Sequence, residues 1–226
     1  MREYGTTEED MAVIAVKNRS LAVHNPNAMF NKPISLEDVL NSRRLVDPIK
    51  LLDCGALCSG AAGLLLVSED LARNLDVQPV WIDGIGQQTN CASVAHAIPG
   101  IFKNGSSKLA AAHAYEMARV KPADIQVAEI HDAFTIMEIM AYEDLGFART
   151  GKGASYALDG NIATNPRGGI LGSGHPIGAT GIAQVCEIVS QLRHEAGIRQ
   201  AGSCNVGLVH NLAAAGTSAT IMILRS

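Results

Sequence analysis

Beyond Pro48 the chain alternates compact apolar runs with stretches of helical periodicity, and glycine clusters separate them. Few architectures accept that order. Short apolar runs bury as strands and the intervening amphipathic stretches cover them, so an α/β fold with a mixed central sheet is expected. Strand candidates are residues 62–67, 80–85, 127–130, 205–209 and 218–224, where β-branched residues are common. Helix candidates are 108–120, 133–145 and 177–192, the last with Ile182, Val185, Val189 and Leu192 along one face. Ahead of Pro48 the pattern differs. Thr6-x-x-Glu9 has the form of a capping box and opens a helix over 7–22, with Met11, Ile14, Ala15 and Ala22 at helical spacing. Two prolines and three asparagines make 25–33 a loop, and Ser35-x-x-Asp38 opens a short helix. A boundary at residue 48 divides the chain into 1–48 and 49–226.

Composition narrows the function. A net charge of -4 with scattered Lys and Arg provides no basic stripe for nucleic-acid phosphates, so no nucleic-acid partner is expected. Apolar runs such as 63–67 and 220–224 fall far short of the roughly 20 residues that cross a bilayer, and no membrane span is expected. The polar start Met1-Arg2-Glu3-Tyr4-Gly5 lacks the pattern of a secretory leader, which makes the cytoplasm the expected location. Five cysteines without a Cys-x-x-Cys pair argue for reduced thiols and against a disulfide framework or a structural zinc site.

Three clusters carry chemistry. His131-Asp132-Ala133-Phe134 follows an apolar run, which places a histidine where a strand hands over to a helix. Alone, such a histidine serves equally as a cap or a packing group. The second cluster runs from Asn165-Pro166-Arg167-Gly168-Gly169 to Gly174-His175-Pro176, with six glycines between 168 and 181. Pro176 suits the first turn of the following helix, so His175 is expected at its N-terminal end, held neutral by the helix dipole and able to accept a thiol proton. A phosphate-binding glycine loop is the rival, without the Lys-Ser/Thr pair that usually accompanies one. The third cluster, His210-Asn211 through Gly216, is expected to be a tight turn offering backbone N–H groups and the Asn211 amide to an oxyanion, or else an ordinary hairpin.

Taken together these residues resemble a thiolase of the archaeal and sterol-carrier type. The run Gly174-His175-Pro176-Ile177-Gly178-Ala179-Thr180-Gly181 is similar to the family's histidine loop throughout. His131-Asp132-Ala133-Phe134 resembles its Asn-Glu-Ala-Phe or His-Asp-Cys-Phe segment, and His210-Asn211 a turn of the sterol-carrier members. Tyr4-Gly5-Thr6-Thr7, Val16-Lys17-Asn18 and Leu51-Leu52-Asp53-Cys54 extend the resemblance over essentially the whole chain. It implies a thiolase-like C-terminal domain over 49–226, preceded by part of the family's loop region at 1–48. The implied activity is acyl-CoA C-acyl transfer, by Claisen condensation or by thiolytic cleavage of a 3-ketoacyl-CoA. In the family a cysteine of the preceding domain takes the acyl group. His175 matches the histidine that activates it, His131 the oxyanion residue, and Asn211 falls near the second acid/base cysteine. Gly174, His210 and Asn165 are then expected against substrate. Coenzyme A would enter as substrate or product, with no tightly bound cofactor and no metal. The chain is expected to work as a homo- or hetero-oligomer with a thiolase N-terminal domain.

The chain departs from the family's pattern in three ways. The half that bears the nucleophile is expected elsewhere, since Met1 matches a point inside the loop region. Ala133 and Asn211 stand where different members carry acid/base cysteines, and Ala213 and Ala214 occupy a turn that is usually glycine-rich. Two alternatives follow: a non-catalytic thiolase-like binding or assembly protein, and a thiolase-like retro-aldolase acting on acyl-CoA. Cys58 and Cys91 superficially resemble nucleophile segments, while Cys54, Cys186 and Cys204 read as small core residues. His24, His96, His113 and His194 have no flanking motif.

Overall fold

A computed structural model describes residues 1–89, 105–213 and 216–226. Cys91, His96 and Ala214 lie outside the described residues. The order is α1 (Glu8–Ala22), α2 (Leu36–Leu40), β1 (Arg44–Val46), β2 (Ile49–Lys50), α3 (Glu69–Asn74), β3 (Trp81–Thr89), α4 (Ser106–Ala118), β4 (Val127–Glu129), α5 (Thr135–Asp144), α6 (Gly153–Asp159), β5 (Ala163–Thr164), α7 (Gly169–Ser173), α8 (Thr180–Leu192), β6 (Val206–Ala213) and β7 (Ser218–Arg225). Five strands form one mixed sheet in the order β3-β7-β6-β4-β5. β3, β7 and β6 run antiparallel in turn, while β4 is parallel to both β6 and β5. The expected boundary at Pro48 falls in the turn between β1 and β2, which pair as a small hairpin.

The period-2 pattern of the strands splits the core in two. Ala128, Leu208, Ile221 and Ile223 face one side, where α4, α5 and the α1 residues Met11 and Ile14 pack on them. Val127, Val209 and Leu224 face the other, against Ile188 and Leu192 of α8. On the first side α4 sits low on the sheet: a Cβ at Gly86 would lie 1.8 Å from the Ala110 carbonyl oxygen, and one at Gly84 2.3 Å from that of Ala114. Among the described residues no helix is long and apolar enough to cross a membrane.

Four sequence expectations need correction. The capping box of α1 is one residue later, with Thr7 and Asp10 bonding reciprocally at 2.8 and 3.1 Å, because that register satisfies both orphan donors. Residues 62–67 form no ladder with the described strands, and Leu64, Leu65 and Leu66 are 41%, 85% and 70% exposed. The apolar run alone does not make a strand; a partner edge is also needed. His210 and Asn211 are not in a turn but within β6, opposite Ile221 and Thr220 of β7, so their backbone groups belong to the ladder. In α8 the buried positions are Thr180, Gln184, Glu187, Ile188, Gln191 and Leu192. Of the expected apolar stripe, Leu192 is buried and Val185 and Val189 pack half-buried on the same core, while two amides and a carboxylate are buried beside them and find polar partners on the sheet and the loop that follows.

Helix α4 rests on bare backbone at Gly86, so Gly86→Ala should lift it and cost about 3 kcal/mol. Urea denaturation should show a lower midpoint with the slope nearly unchanged.

Candidate active site

Two loops and one strand bring the candidate residues together. β4 ends at Glu129 and the chain turns through Ile130, His131 and Asp132 into α5, which sets His131 at the carboxyl end of a parallel strand. Helix α7 ends at Ser173 and leads through Gly174 to His175. β6 carries Asn211, whose side chain alternates away from the fully buried His210.

His131, His175 and Asn211 line one cavity of about 1010 Å³. Its walls are largely apolar, with Phe134, Met137, Met140, Ile182, Val185 and Met222. The rings of His131 and His175 stand edge to face at 83°, their centroids 5.3 Å apart. His175 is not at the first turn of α8 as expected: a 3₁₀ turn at Ile177–Ala179 intervenes, and its Nδ1 reaches Thr180 Oγ1 at 2.8 Å. Asn211 Nδ2 lies 3.3 Å from His131 Nδ1 and 2.9 Å from Gln184 Oε1. His210 also borders the cavity, but both of its ring nitrogens already have partners. Its Nδ1 faces the His131 backbone N–H at 3.4 Å and its Nε2 the Ser107 hydroxyl at 2.9 Å.

One strap ties the two histidine loops. The Gly55 N–H donates to Ala133 O at 2.8 Å on one side, and the His175 N–H donates to Ala56 O at 2.8 Å on the other. Asp53 anchors its start, accepting from the Thr135 hydroxyl at 3.0 Å and the Lys50 N–H at 2.9 Å.

Behind the histidines lies a buried polar network. Asp132 accepts from the N–H groups of Ile170 and Leu171 at 2.6 and 3.2 Å, closing the N-terminus of α7, and from Asn18 Nδ2 at 2.7 Å. Glu138 accepts from Asn18 at 2.6 Å, Asn165 at 2.8 Å and Lys17 at 2.5 Å. Asn165, expected against substrate, is fully buried in this network and does not reach the cavity; its Oδ1 accepts the Ile130 N–H at 2.7 Å. Gly174 is also buried, at φ +89, against Met29 and Cys58. Both act at one remove, by holding the histidine loops. Sequence reasoning passed over Asp53, Lys17 and Asn18 as site-builders, although they stand in the resembling segments, and it missed Gln184.

Burial dominates the electrostatics. It holds His131 down to about 4 and His210 to about 3, each helped by the neighbouring histidine, and it also lowers His175. All three imidazoles are neutral at pH 7. Cys54 lines the cavity, but burial pushes its thiol up, which disfavours the thiolate a nucleophile requires. Among the described residues no cluster of His, Cys, Asp and Glu could hold a metal ion.

Unfolding returns His131 and His210 to a pKa of about 6.5. Between that value and about 4 the unfolded chain takes up protons that the folded chain refuses, so stability falls as pH falls through this window. By pH 5 the loss amounts to roughly 2 kcal/mol per ring. Urea midpoints measured from pH 8 to pH 5 should show about half of this pH-dependent loss removed in His210→Asn.

Residues 91–226 match the family model for the thiolase C-terminal domain-like family. The chain is 40% identical to an acetyl-CoA acetyltransferase of Methanothermobacter thermautotrophicus over 99% of its own length and 60% of that protein's. It is 36% identical to rabbit (Oryctolagus cuniculus) sterol carrier protein 2, over 96% of itself and 42% of that protein. Among solved structures, the Ltp2-ChsH2(DUF35) aldolase superimposes with a TM-score of 0.85 at 30% identity, covering all of this chain and 60% of the other. The chain therefore spans between 42% and 60% of the length of these relatives. On the family-model match, the identity to the archaeal relative and the shared fold, this chain belongs to the thiolase family.

Proposed function

We propose that the chain supplies the histidine-bearing part of a thiolase-type acyl-CoA C-acyltransferase site. The observation that carries this reading is the juxtaposition of the His175 and His131 rings, 5.3 Å apart on one cavity. The cysteine would come from the family's preceding domain, on the same polypeptide or on a partner. His175, neutral at pH 7, takes the thiol proton. The thiolate attacks the thioester carbonyl of an acyl-CoA, the C–S bond to coenzyme A breaks, and the proton on His175 passes to the departing thiolate. A second acyl-CoA then loses its α-proton to a base outside the assigned residues. His131 donates to the enolate oxygen as its carbon attacks the acyl-cysteine and expels the thiolate. Thiolysis runs the same steps backward. Coenzyme A is substrate or product, and the assembly is an oligomer that includes a thiolase N-terminal domain. Support for a partner surface comes from Leu57, Leu65 and Leu66, which stand 69%, 85% and 70% exposed.

A second reading is retro-aldol cleavage of a 3-hydroxyacyl-CoA, which needs the enolate donor but no acyl-cysteine. The alanine at 133 and the asparagine at 211 favour it, since neither supplies a second acid/base thiol. The similar structure named as an aldolase points the same way.

Mass spectrometry of the cysteine after incubation with acyl-CoA, beside assays of 3-ketoacyl-CoA thiolysis and 3-hydroxyacyl-CoA cleavage, tests both. His175→Ala should slow acylation about 1,000-fold. His131→Ala should leave acylation intact and slow carbon–carbon bond chemistry by roughly 100- to 1,000-fold. Normal acylation in His175→Ala would remove the first reading. Aldol cleavage that survives His175→Ala and is lost in His131→Ala would select the second.

A further inference from the structure

Gln184 is a fully buried amide on α8, a helix otherwise turned toward an apolar face of the sheet. Its orientation is set by chemistry at one end. The His210 main-chain oxygen can only accept, and Gln184 Nε2 lies 3.2 Å from it. The amide's oxygen therefore points the other way, toward Asn211 Nδ2 at 2.9 Å. An amide oxygen in turn demands a donor, so the Asn211 amide is held with its nitrogen toward Gln184. The second proton of that nitrogen is directed at His131 Nδ1, 3.3 Å away.

A ring nitrogen that meets an N–H must present its lone pair. In a neutral imidazole the proton then sits on the other nitrogen. His131 Nε2 makes no hydrogen bond within the described residues, and the ring lines the cavity beside His175. We propose that Gln184 is a positioning residue which, through Asn211, locks His131 in its Nε2–H tautomer and so turns a donor toward the cavity. Four groups in series make the lock: the carbonyl of His210, Gln184, Asn211 and His131. The tautomer follows from this geometry alone; its use as an oxyanion donor rests on the thiolase reading.

The test is two-bond ¹H–¹⁵N correlation of the imidazoles in protein labelled with ¹⁵N-histidine, purified with any chain that accompanies it. His131 is identified by the loss of its signals in His131→Gln. In the wild type at pH 7.5 His131 should show a single Nε2–H pattern. Gln184→Leu keeps the helix and the volume but frees the Asn211 amide, and the two ring nitrogens should move toward averaged shifts as both tautomers become populated. Gln184→Glu, whose protonated carboxyl again offers one donor and one acceptor, should restore the wild-type pattern. Asn211→Ala acts on the half-buried end of the chain and should mix the tautomers should Gln184→Leu fail to fold. An Nδ1–H pattern in the wild type overturns the proposal, as does an unchanged Nε2–H pattern in folded Gln184→Leu or Asn211→Ala. In the assembled enzyme Gln184→Leu should lower kcat for bond cleavage about tenfold or more with KM little changed, against the full donor loss of roughly 100-fold or more. A confirmed lock with no thiolase or aldol activity would leave the positioning role standing and discard the assigned activity.

Discussion

The carboxylate of Asp132 is the point on which the two histidine loops converge. It follows His131 directly and closes the first N–H groups of α7, the helix that delivers His175. Moving it would move one histidine relative to the other. The fit permits little side-chain bulk: a Cβ at Gly169, which sits at φ +58, would fall 2.1 Å from an Asp132 oxygen. The spacing of the rings is therefore written into a loop-to-helix contact that neither histidine makes.

That contact lies in the interior, where a carboxylate is tolerated only if its lone pairs are filled. Asn18 serves Asp132 and Glu138 at once through the two protons of a single nitrogen. Lys17, one residue earlier on α1, supplies the positive charge. The first helix thus does more than contribute Met11 and Ile14 to the core. It pairs the Glu138 carboxylate with Lys17 and, through Asn18, orders the polar centre on which the β4–α5 loop stands. A network of this kind is unforgiving of partial loss, because removing one member leaves the others buried and unpaired.

Much of this was legible in the sequence. Four of five strand candidates and the three long helices beyond Pro48 appear close to where periodicity puts them, since apolar alternation reports directly on burial. The His175 cluster stood out by its glycine-rich context and His131 by its place where a strand hands over to a helix, and the structure gathers His131, His175 and Asn211 on one cavity. What stayed hidden depends on tertiary partners. Residues 62–67 look like a strand locally but lack an edge to pair with among the described residues. Gln184 and Gln191 look like solvent-facing residues of α8, yet each finds main-chain partners in the segments packed around it. Asn165 sits in a motif beside chemistry, and only the distances to Ile130 and Glu138 reveal a structural duty.

The strap at residues 53–58 grips both histidine loops mainly through main-chain groups, with Asp53 as its side-chain anchor. Positioning is thereby separated from wall chemistry. Cys54 and Leu57 face the cavity without being asked to hold either loop, so their side chains are free to change size and polarity while the histidines keep their places. Members of such a family can diverge in what they accept along this wall without rebuilding the machinery beside it.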